Sequence, residues 1–249
     1  MHSGLIYEEI IPTGKLALYV DSFWSLRNES GHDIDVIILP DGRIDASFGD
    51  VDGNSFMLHG LENQASQAAI PAGVRMFAIS FKFLAAEYLL KQFAPIQPDE
   101  VRRLPFDFWG IPNLTFMTLA EFSETFSKVI DQKLDTDPDP RKIKLSDLLY
   151  TSHGAATVAE LADTASWSSR QINRYFQQYL GMPLKNYAGI LRFRASFGHI
   201  KAGKLFPEQE FADQSHFIRE IKRYSGVVPK ELAKNQNDRF IQFSTLPKP

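Results

Sequence analysis

The sequence contains no cysteine. That absence excludes a disulfide framework, a thiolate zinc site, an iron–sulfur cluster and a thiol nucleophile. No uninterrupted apolar run approaches the roughly 20 residues a bilayer span needs, and the first residues, MHSGLIYEEI, carry neither a basic region nor an apolar export segment. A soluble, cytoplasmic chain with no membrane partner is expected. Neither a phosphate-binding glycine loop nor a nucleophile elbow occurs. The histidines stand scattered at 2, 32, 59, 153, 199 and 216 with no His-x-His pair, so no metal site and no cofactor are expected.

What is present is enough apolar side chain, 44% of 249 residues, to build one or two domains with a core in each. Charge is divided unevenly between the halves. Residues 1–140 hold 10 Lys+Arg against 21 Asp+Glu, whereas residues 141–249 hold 17 against 9. An acidic half joined to a basic half is the pattern of a polyanion-binding domain fused to a partner domain. The seam falls at 135–140, Asp-Thr-Asp-Pro-Asp-Pro, where two prolines and three acids cannot continue a helix and bring nothing apolar to bury. The expected domains are therefore residues 1–134, a linker at 135–140, and residues 141–236.

Residues 5–83 read as short strands. Val36-Ile-Ile-Leu39 precedes the turn former Pro40-Asp-Gly42, followed by strand-like runs at 43–48, 55–59 and 74–83. Closely spaced strands with Gly and Pro turns indicate a small antiparallel barrel or sandwich. Asp41 and Asp45, four apart across the turn, read as turn and strand-edge acids rather than a catalytic pair. Trp24 and Trp109 read as core aromatics, with the lining of an effector pocket as the alternative. From Leu84 the period becomes helical. Leu119, Phe122, Phe126, Val129 and Ile130 form one stripe, either a dimer seam or a helix laid on the β domain's own core.

Beyond the seam the pattern is helical throughout. Thr157 and Glu160 have capping-box spacing, and Val158, Leu161, Ala162 and Ala165 make a small apolar stripe. Ser168 is a good N-cap for a helix whose Ile172, Tyr175, Phe176, Tyr179 and Leu180 follow the i, i+3, i+4, i+7, i+8 rule. Gly181 stops it. Small helix, tight turn and amphipathic helix together outline a helix-turn-helix unit. The other face of the second helix, Ser169, Arg170, Gln171, Asn173, Arg174, Gln177 and Gln178, contains no acid. Such a face can approach phosphates without repulsion and offer forked donors and amides to base edges.

A shift of 45 residues lays 213–226 on 168–181, matching Arg219 to Arg174, Ile221 to Phe176, Tyr224 to Tyr179 and Gly226 to Gly181. A second reading helix is thus expected, with a linking helix over residues 184–202 between the two.

These residues resemble a known family. Val158-Ala-Glu-Leu-Ala162, Ser168-Ser-Arg-Gln-Ile-Asn-Arg-Tyr-Phe176, Gly181, Tyr187, Arg192, Ala195, the run Phe211-Ala-Asp-Gln-Ser-His-Phe-Ile-Arg-Glu-Ile-Lys222, Gly226 and Pro229 are similar to the DNA-binding domain of AraC-type transcription regulators. The resemblance covers about residues 143–234. The N-terminal half, with Tyr19-Val-Asp-Ser-Phe-Trp24 and Leu39-Pro-Asp-Gly42, resembles the β-rich sensor domains often fused to it. It implies a multidomain α+β fold, with a β-rich, cupin-like barrel carrying packed helices and then an all-α domain of two helix-turn-helix units.

The implied function is sequence-specific regulation of transcription, without enzymatic activity. Double-stranded DNA would be the main partner, with RNA polymerase, a small-molecule effector and a second copy of the chain as candidates. Base readers would be Ser169, Arg170, Gln171, Asn173, Arg174 and Gln177, then Gln214, Ser215, His216 and Arg219. Lys185 would contact phosphate. One departure bears on the second unit. Only residues 204–210 separate Gly203 from Phe211, so its supporting helix is expected to be truncated, and Glu208, Glu210 and Glu220 add negative charge there. The alternative function is an interaction or effector-binding module that has lost full DNA reading.

Overall fold

In the computed structural model, residues 4–49, 56–105, 108–110, 117–206, 211 and 213–246 are described. Among the described residues the N-terminal half holds eight strands, β1 (Leu5–Ile10), β2 (Val20–Asn28), β3 (Ile34–Ile38), β4 (Ile44–Phe48), β5 (Phe56–His59), β6 (Ser66–Ile70), β7 (Arg75–Phe81) and β8 (Val101–Arg103). Six form one antiparallel sheet in the order β1-β2-β7-β4-β5-β8, and β3 pairs with β6 in a separate two-stranded sheet. The β-rich reading of residues 5–83 holds. The edge strand β1, the first long strand β2 and β6, the partner of β3, had no individual sequence signal.

Alternation along the strands assigns each face of the large sheet a different task. Phe23, Ile44, Ala46, Phe48, Leu58, Phe77, Ile79 and Phe81 are buried in the main core. After the one-turn helix α1 (Ala85–Tyr88), the longer α2 (Leu119–Lys133) lies on that core, opened by a Thr118/Glu121 capping box. Its Phe122 and Phe126 rings sit 5.9 and 4.9 Å from Phe48. The apolar stripe of α2 is therefore covered by its own sheet and is not left over for a dimer seam. Trp109, 4.6 Å from Phe108 and partly buried, packs into the same core.

The helical half comprises α3 (Pro140–Thr151), α4 (Val158–Ala165), α5 (Ser169–Leu180), α6 (Leu184–Ala195), α7 (Phe197–Lys201), α8 (Gln214–Ser225), α9 (Pro229–Lys234) and α10 (Ile241–Thr245). Asp139 caps α3 and Pro140 opens it, where proline's missing N–H is no loss. The linking helix expected over 184–202 is broken in two at Ser196, whose hydroxyl bonds back to the Phe193 carbonyl. Local side-chain bonding of this kind competes with the helix ladder. Residues 207–210 and 212, on which the truncated supporting helix and Glu208 and Glu210 were placed, lie outside the described residues.

One hydrophobic core runs from the sheet into the helices. Phe83, after β7, has its ring centre 5.1 Å from Phe176, 5.9 Å from Tyr187 and 6.2 Å from both Tyr150 and Tyr175. A hydrogen-bonded chain runs through this cluster. The Phe83 N–H donates to Tyr150 Oη, the two tyrosine hydroxyls are 2.6 Å apart, and Tyr187 Oη donates to the Gly42 carbonyl at 3.0 Å. At the rim, Arg194 on α6 pairs with Asp21 at 2.6 Å and Lys142 on α3 with Glu87 at 2.6 Å.

Beyond α9 the chain returns to the β half. The Ile37 N–H donates to the Arg239 carbonyl, and the Gln242 amide satisfies both the N–H and the C=O of Leu39 at 2.9 Å each. Residues 239–245 thereby form a strap anchored along β3 at Arg239 and Gln242, a feature the sequence reading, which ended the helical domain at 236, did not contain.

Removing the Tyr187 hydroxyl leaves the buried Gly42 carbonyl without its donor and the Tyr150 hydroxyl with only the Phe83 N–H, while leaving the ring in place. Tyr187→Phe should therefore cost about 1–3 kcal/mol of stability in urea unfolding. Because the core is continuous, the variant should still unfold in a single calorimetric transition. Two resolved transitions would contradict the coupling of the halves.

Candidate nucleic-acid interface and sheet cavity

The first helix-turn-helix unit is built by caps. Thr157 and Glu160 form a capping box on α4, Ser166 turns the chain with φ 49° and ψ 46°, and Ser168 and Gln171 form a second capping box on α5. Ile172, Phe176 and Leu180 are fully buried and Tyr175 and Tyr179 nearly so, and this pins one face of α5. The opposite face is open. Ser169, Arg170, Gln171, Arg174, Gln177 and Gln178 are all exposed. Arg170 and Arg174 have no ion pair or hydrogen bond among the described residues, and no carboxylate shares their helix.

Two of the sequence candidates have additional local roles. The Gln171 carbonyl accepts from the Ser168 amide and hydroxyl, which leaves its NH2 free. Asn173 is half-buried, donating to the Ser169 carbonyl and accepting from the Leu184 N–H, so its amide ties α5 to the start of α6.

The internal repeat is present in three dimensions. Asp213 caps α8 as Ser168 caps α5, each helix has twelve residues, and Gly181 and Gly226 both end them in left-handed backbone, φ 63° and 76°. Gln214, Ser215 and Arg219 are exposed on α8, and His216 is partly buried with its ring 5.7 Å from Phe211. Glu220, expected to add negative charge to this face, instead turns toward α6, 3.7 Å from Arg192 and only 14% exposed. Helix α6 packs against both α5 and α8, with Gly189 facing Tyr224 of α8. A Cβ there would lie 2.5 Å from Tyr224 Oη.

The other face of the large sheet opens on a cavity of about 380 Å³, closed on its far side by the β3–β6 sheet and by Ile241, Gln242 and Thr245 of the strap. Leu26, Val36, Ile70, Val74 and Met76 supply apolar wall. Trp24 also lines it rather than the main core, donating its indole N–H to Ser80 Oγ at 3.0 Å. A polar floor consists of Asp41, Arg43, Asp45, Ser47, His59 and Glu62. The sequence reading took Asp41 and Asp45 for turn and strand-edge acids; Asp41 does lie in the turn, but Asp45 stands on β4, which is paired on both sides, and both acids line the cavity. Strand register hid the cluster, because Asp45 stands opposite both His59 and Ser80 across two different partner strands.

Arg43 is held by three carboxylates. Its guanidinium bonds Asp41 through Nε at 2.8 Å and Nη2 at 2.5 Å, and lies 3.6 Å from Asp21 and 3.7 Å from Glu9. Burial works against its charge, but Asp41 and then Asp45 hold it protonated. Burial also raises Asp21, yet Arg194 and Arg43 together bring it below the usual carboxylate range. Burial lowers His59, keeping the ring neutral, and its Nε2 is 2.9 Å from Ser47 Oγ. No carboxylate holds the other ring nitrogen among the described residues, so the pair lacks the orienting group a nucleophilic serine would need. The floor is suited to binding.

Three comparisons bear on the chain. A family profile described as a domain of unknown function, DUF6597, matches residues 8–97. No curated protein matches the chain. Among solved structures the chain is similar to ToxT from Vibrio cholerae, at 14% identity and TM-score 0.40, covering 92% of this chain and 97% of that one. It is likewise similar to ToxT from Vibrio cholerae O395 bound to (E)-4-(8-methylnaphthalen-1-yl)but-3-enoic acid, at 14% identity and TM-score 0.42, covering 92% and 97%. Unsaturated fatty acid bound ToxT from Vibrio cholerae strain SCE256 is similar at 13% identity and TM-score 0.40, covering 95% and 96%.

Burial pushes the Asp45 carboxyl up to about 6 from an ordinary 3.8, with Arg43 and the Ser80 hydroxyl only partly offsetting it. Between about pH 4 and 6 the unfolded chain releases this proton and the folded chain retains it, so stability falls as pH rises through that window and stays lower above it. Asp45→Asn removes the ionisation. Its melting temperature relative to the parent should become more favourable from about pH 4 to 7, and a difference independent of pH would place the ionisation elsewhere.

Proposed function

We propose that the protein is a sequence-specific DNA-binding transcription regulator whose N-terminal half receives a small-molecule effector and whose α5 reads the major groove. The observation that carries this is the outer face of α5, exposed, acid-free and bearing two unpaired arginines, on a helix whose inner face is locked in the core. A reading helix needs this combination of rigid backing and uncommitted donors. Arg170, Arg174, Gln177 and the free NH2 of Gln171 form the base-reading set, and Ser169 stands at its N-terminal edge. Asn173 is left out because both ends of its amide are engaged. On α8, Gln214, Ser215 and Arg219 form a second set.

Effector control is supported by continuity between the cavity and the helices. Asp41 and Arg43 line the cavity, while Gly42 between them bonds Tyr187 of α6. Arg43 also approaches Asp21, the partner of Arg194 on α6.

Selection of binding sites from random duplex DNA with the full-length protein, followed by affinity measurement across a salt series, tests the reading. Affinity should fall steeply between about 50 and 200 mM salt. Arg174→Ala should cost about 1–3 kcal/mol on the selected site and relax preference at one base position. Replacing Lys185, exposed in the first turn of α6, should weaken all sequences alike and lower the salt slope by about one. Binding that does not select a sequence, or is indifferent to salt, would favour an interaction module and overturn the assignment.

A further inference from the structure

The geometry points to an amphipathic cation, an organic amine on an apolar body, as the ligand of the cavity between the two sheets. This rests on the cavity being the effector site, and adds the chemical class that the site selects. Three carboxylates, Asp41, Asp45 and Glu62, line the cavity against a single cationic side chain, Arg43. That guanidinium is not available to a guest, because Asp41 chelates it and Asp21 and Glu9 lie within 4 Å. A carboxylate ligand would therefore enter a field of excess negative charge with its one potential partner already engaged.

The remaining acids are arranged the opposite way. Asp45 accepts only from the Ser80 hydroxyl, and Glu62 has no ion pair among the described residues. Burial pushes the Glu62 carboxyl well above its ordinary range and Asp41 and Asp45 add to that push, with Arg43 offsetting it only weakly, as expected of an acid with no cation in direct contact. A buried ammonium would supply it.

The walls complete the match. Tyr7 and Trp24, ring centres 6.0 Å apart, both face the cavity. Aromatic faces beside carboxylates favour an alkylammonium through cation–π attraction. The neighbouring aliphatic surface suits an uncharged chain, and a volume near 380 Å³ falls in the range of small-molecule sites, about 300–1,000 Å³.

The test uses the full chain, free of DNA, titrated calorimetrically with n-octylamine, octanol and octanoate, which share a body and differ in head-group charge. The amine should bind at least about tenfold more tightly than either of the others, about 1.4 kcal/mol. Glu62→Gln, which leaves the Ser80–Asp45 bond intact, should remove most of that preference. Asp45→Asn provides a second reading at the other acid of the floor. Octanoate or octanol binding as well as the amine, no binding of any of the three, or amine binding unchanged in both variants would each overturn the proposal. A parallel measurement of DNA affinity with and without amine separates the two readings. Amine binding that leaves DNA affinity unchanged refutes effector control while retaining the ligand class.

Discussion

The hydrogen-bonded chain from the Phe83 amide through Tyr150 and Tyr187 to the Gly42 carbonyl fixes the helical half of the molecule against the β half. Each hydroxyl in it is both donor and acceptor, so the chain closes with no buried polar group left over. Its far end lies on the turn that Pro40, Asp41 and Gly42 make before β4. Gly42 has φ +78°, and a Cβ there would lie 2.9 Å from Leu191 Cδ2, so the turn can press against α6 only because that side chain is absent. The residues on either side of it point the other way, into the cavity. One three-residue segment thus has its backbone in the seam between halves and its side chains in the binding floor.

This arrangement explains why a costly charge cluster is tolerated. Burying Arg43 among acids sacrifices hydration that Coulomb attraction recovers only when geometry is good and all donors are matched. Nε and Nη2 of Arg43 converge on Oδ2 of Asp41, itself only 5% exposed, while Oδ1 accepts the Arg43 backbone N–H, so the pair that neutralises the charge also fixes the turn. Asp21 extends the cluster to Arg194 of α6, so the electrostatic network crosses the seam along with the tyrosines. On the proposed reading, a cation at Asp45 and Glu62 changes the field around Arg43 without displacing it, and the response is carried by groups that already touch α6.

How much of this could be read in the sequence depended on how local the cause was. Caps, i, i+3 and i, i+4 apolar spacing and a terminating glycine act within a turn or two, and α4, α5, α8 and the repeat relating the last two were all legible from Thr157, Ser168, Asp213, Gly181 and Gly226. The Ser196 break in the linking helix was not, because a serine back-bonding to Phe193 looks the same in sequence as one facing solvent. The cavity was illegible for a different reason. Asp45, His59, Ser80 and Trp24 meet through antiparallel register between strands far apart in sequence, and a period-two pattern says which residues share a face without saying what lies opposite. Glu62 sits in a loop with no periodicity to read. The strap needed Gln242 to find Leu39 across about two hundred residues, and the residues around it carry no turn or repeat signal.

The strap also constrains how a ligand could act. It follows α9 directly and lines the cavity with Ile241, Gln242 and Thr245, so the second helix-turn-helix unit is tied to the β half independently of the turn at Gly42. Both ties converge on one helical body, since α6 packs on α5 and α8 alike. With an apolar core crossing the seam, independent swinging of the two halves would expose Phe83, Phe176 and Tyr187 to water, which burial of that size opposes strongly. On the proposed reading, a ligand can therefore bias α5 and α8 only through its differential affinity for small shifts of this joined body, as in a packed two-state interface, and not by releasing a tether. That places the sensitivity of the molecule in the few contacts shared by floor and seam, Asp41 to Arg43 with Tyr187, rather than in the segment that joins the halves along the chain.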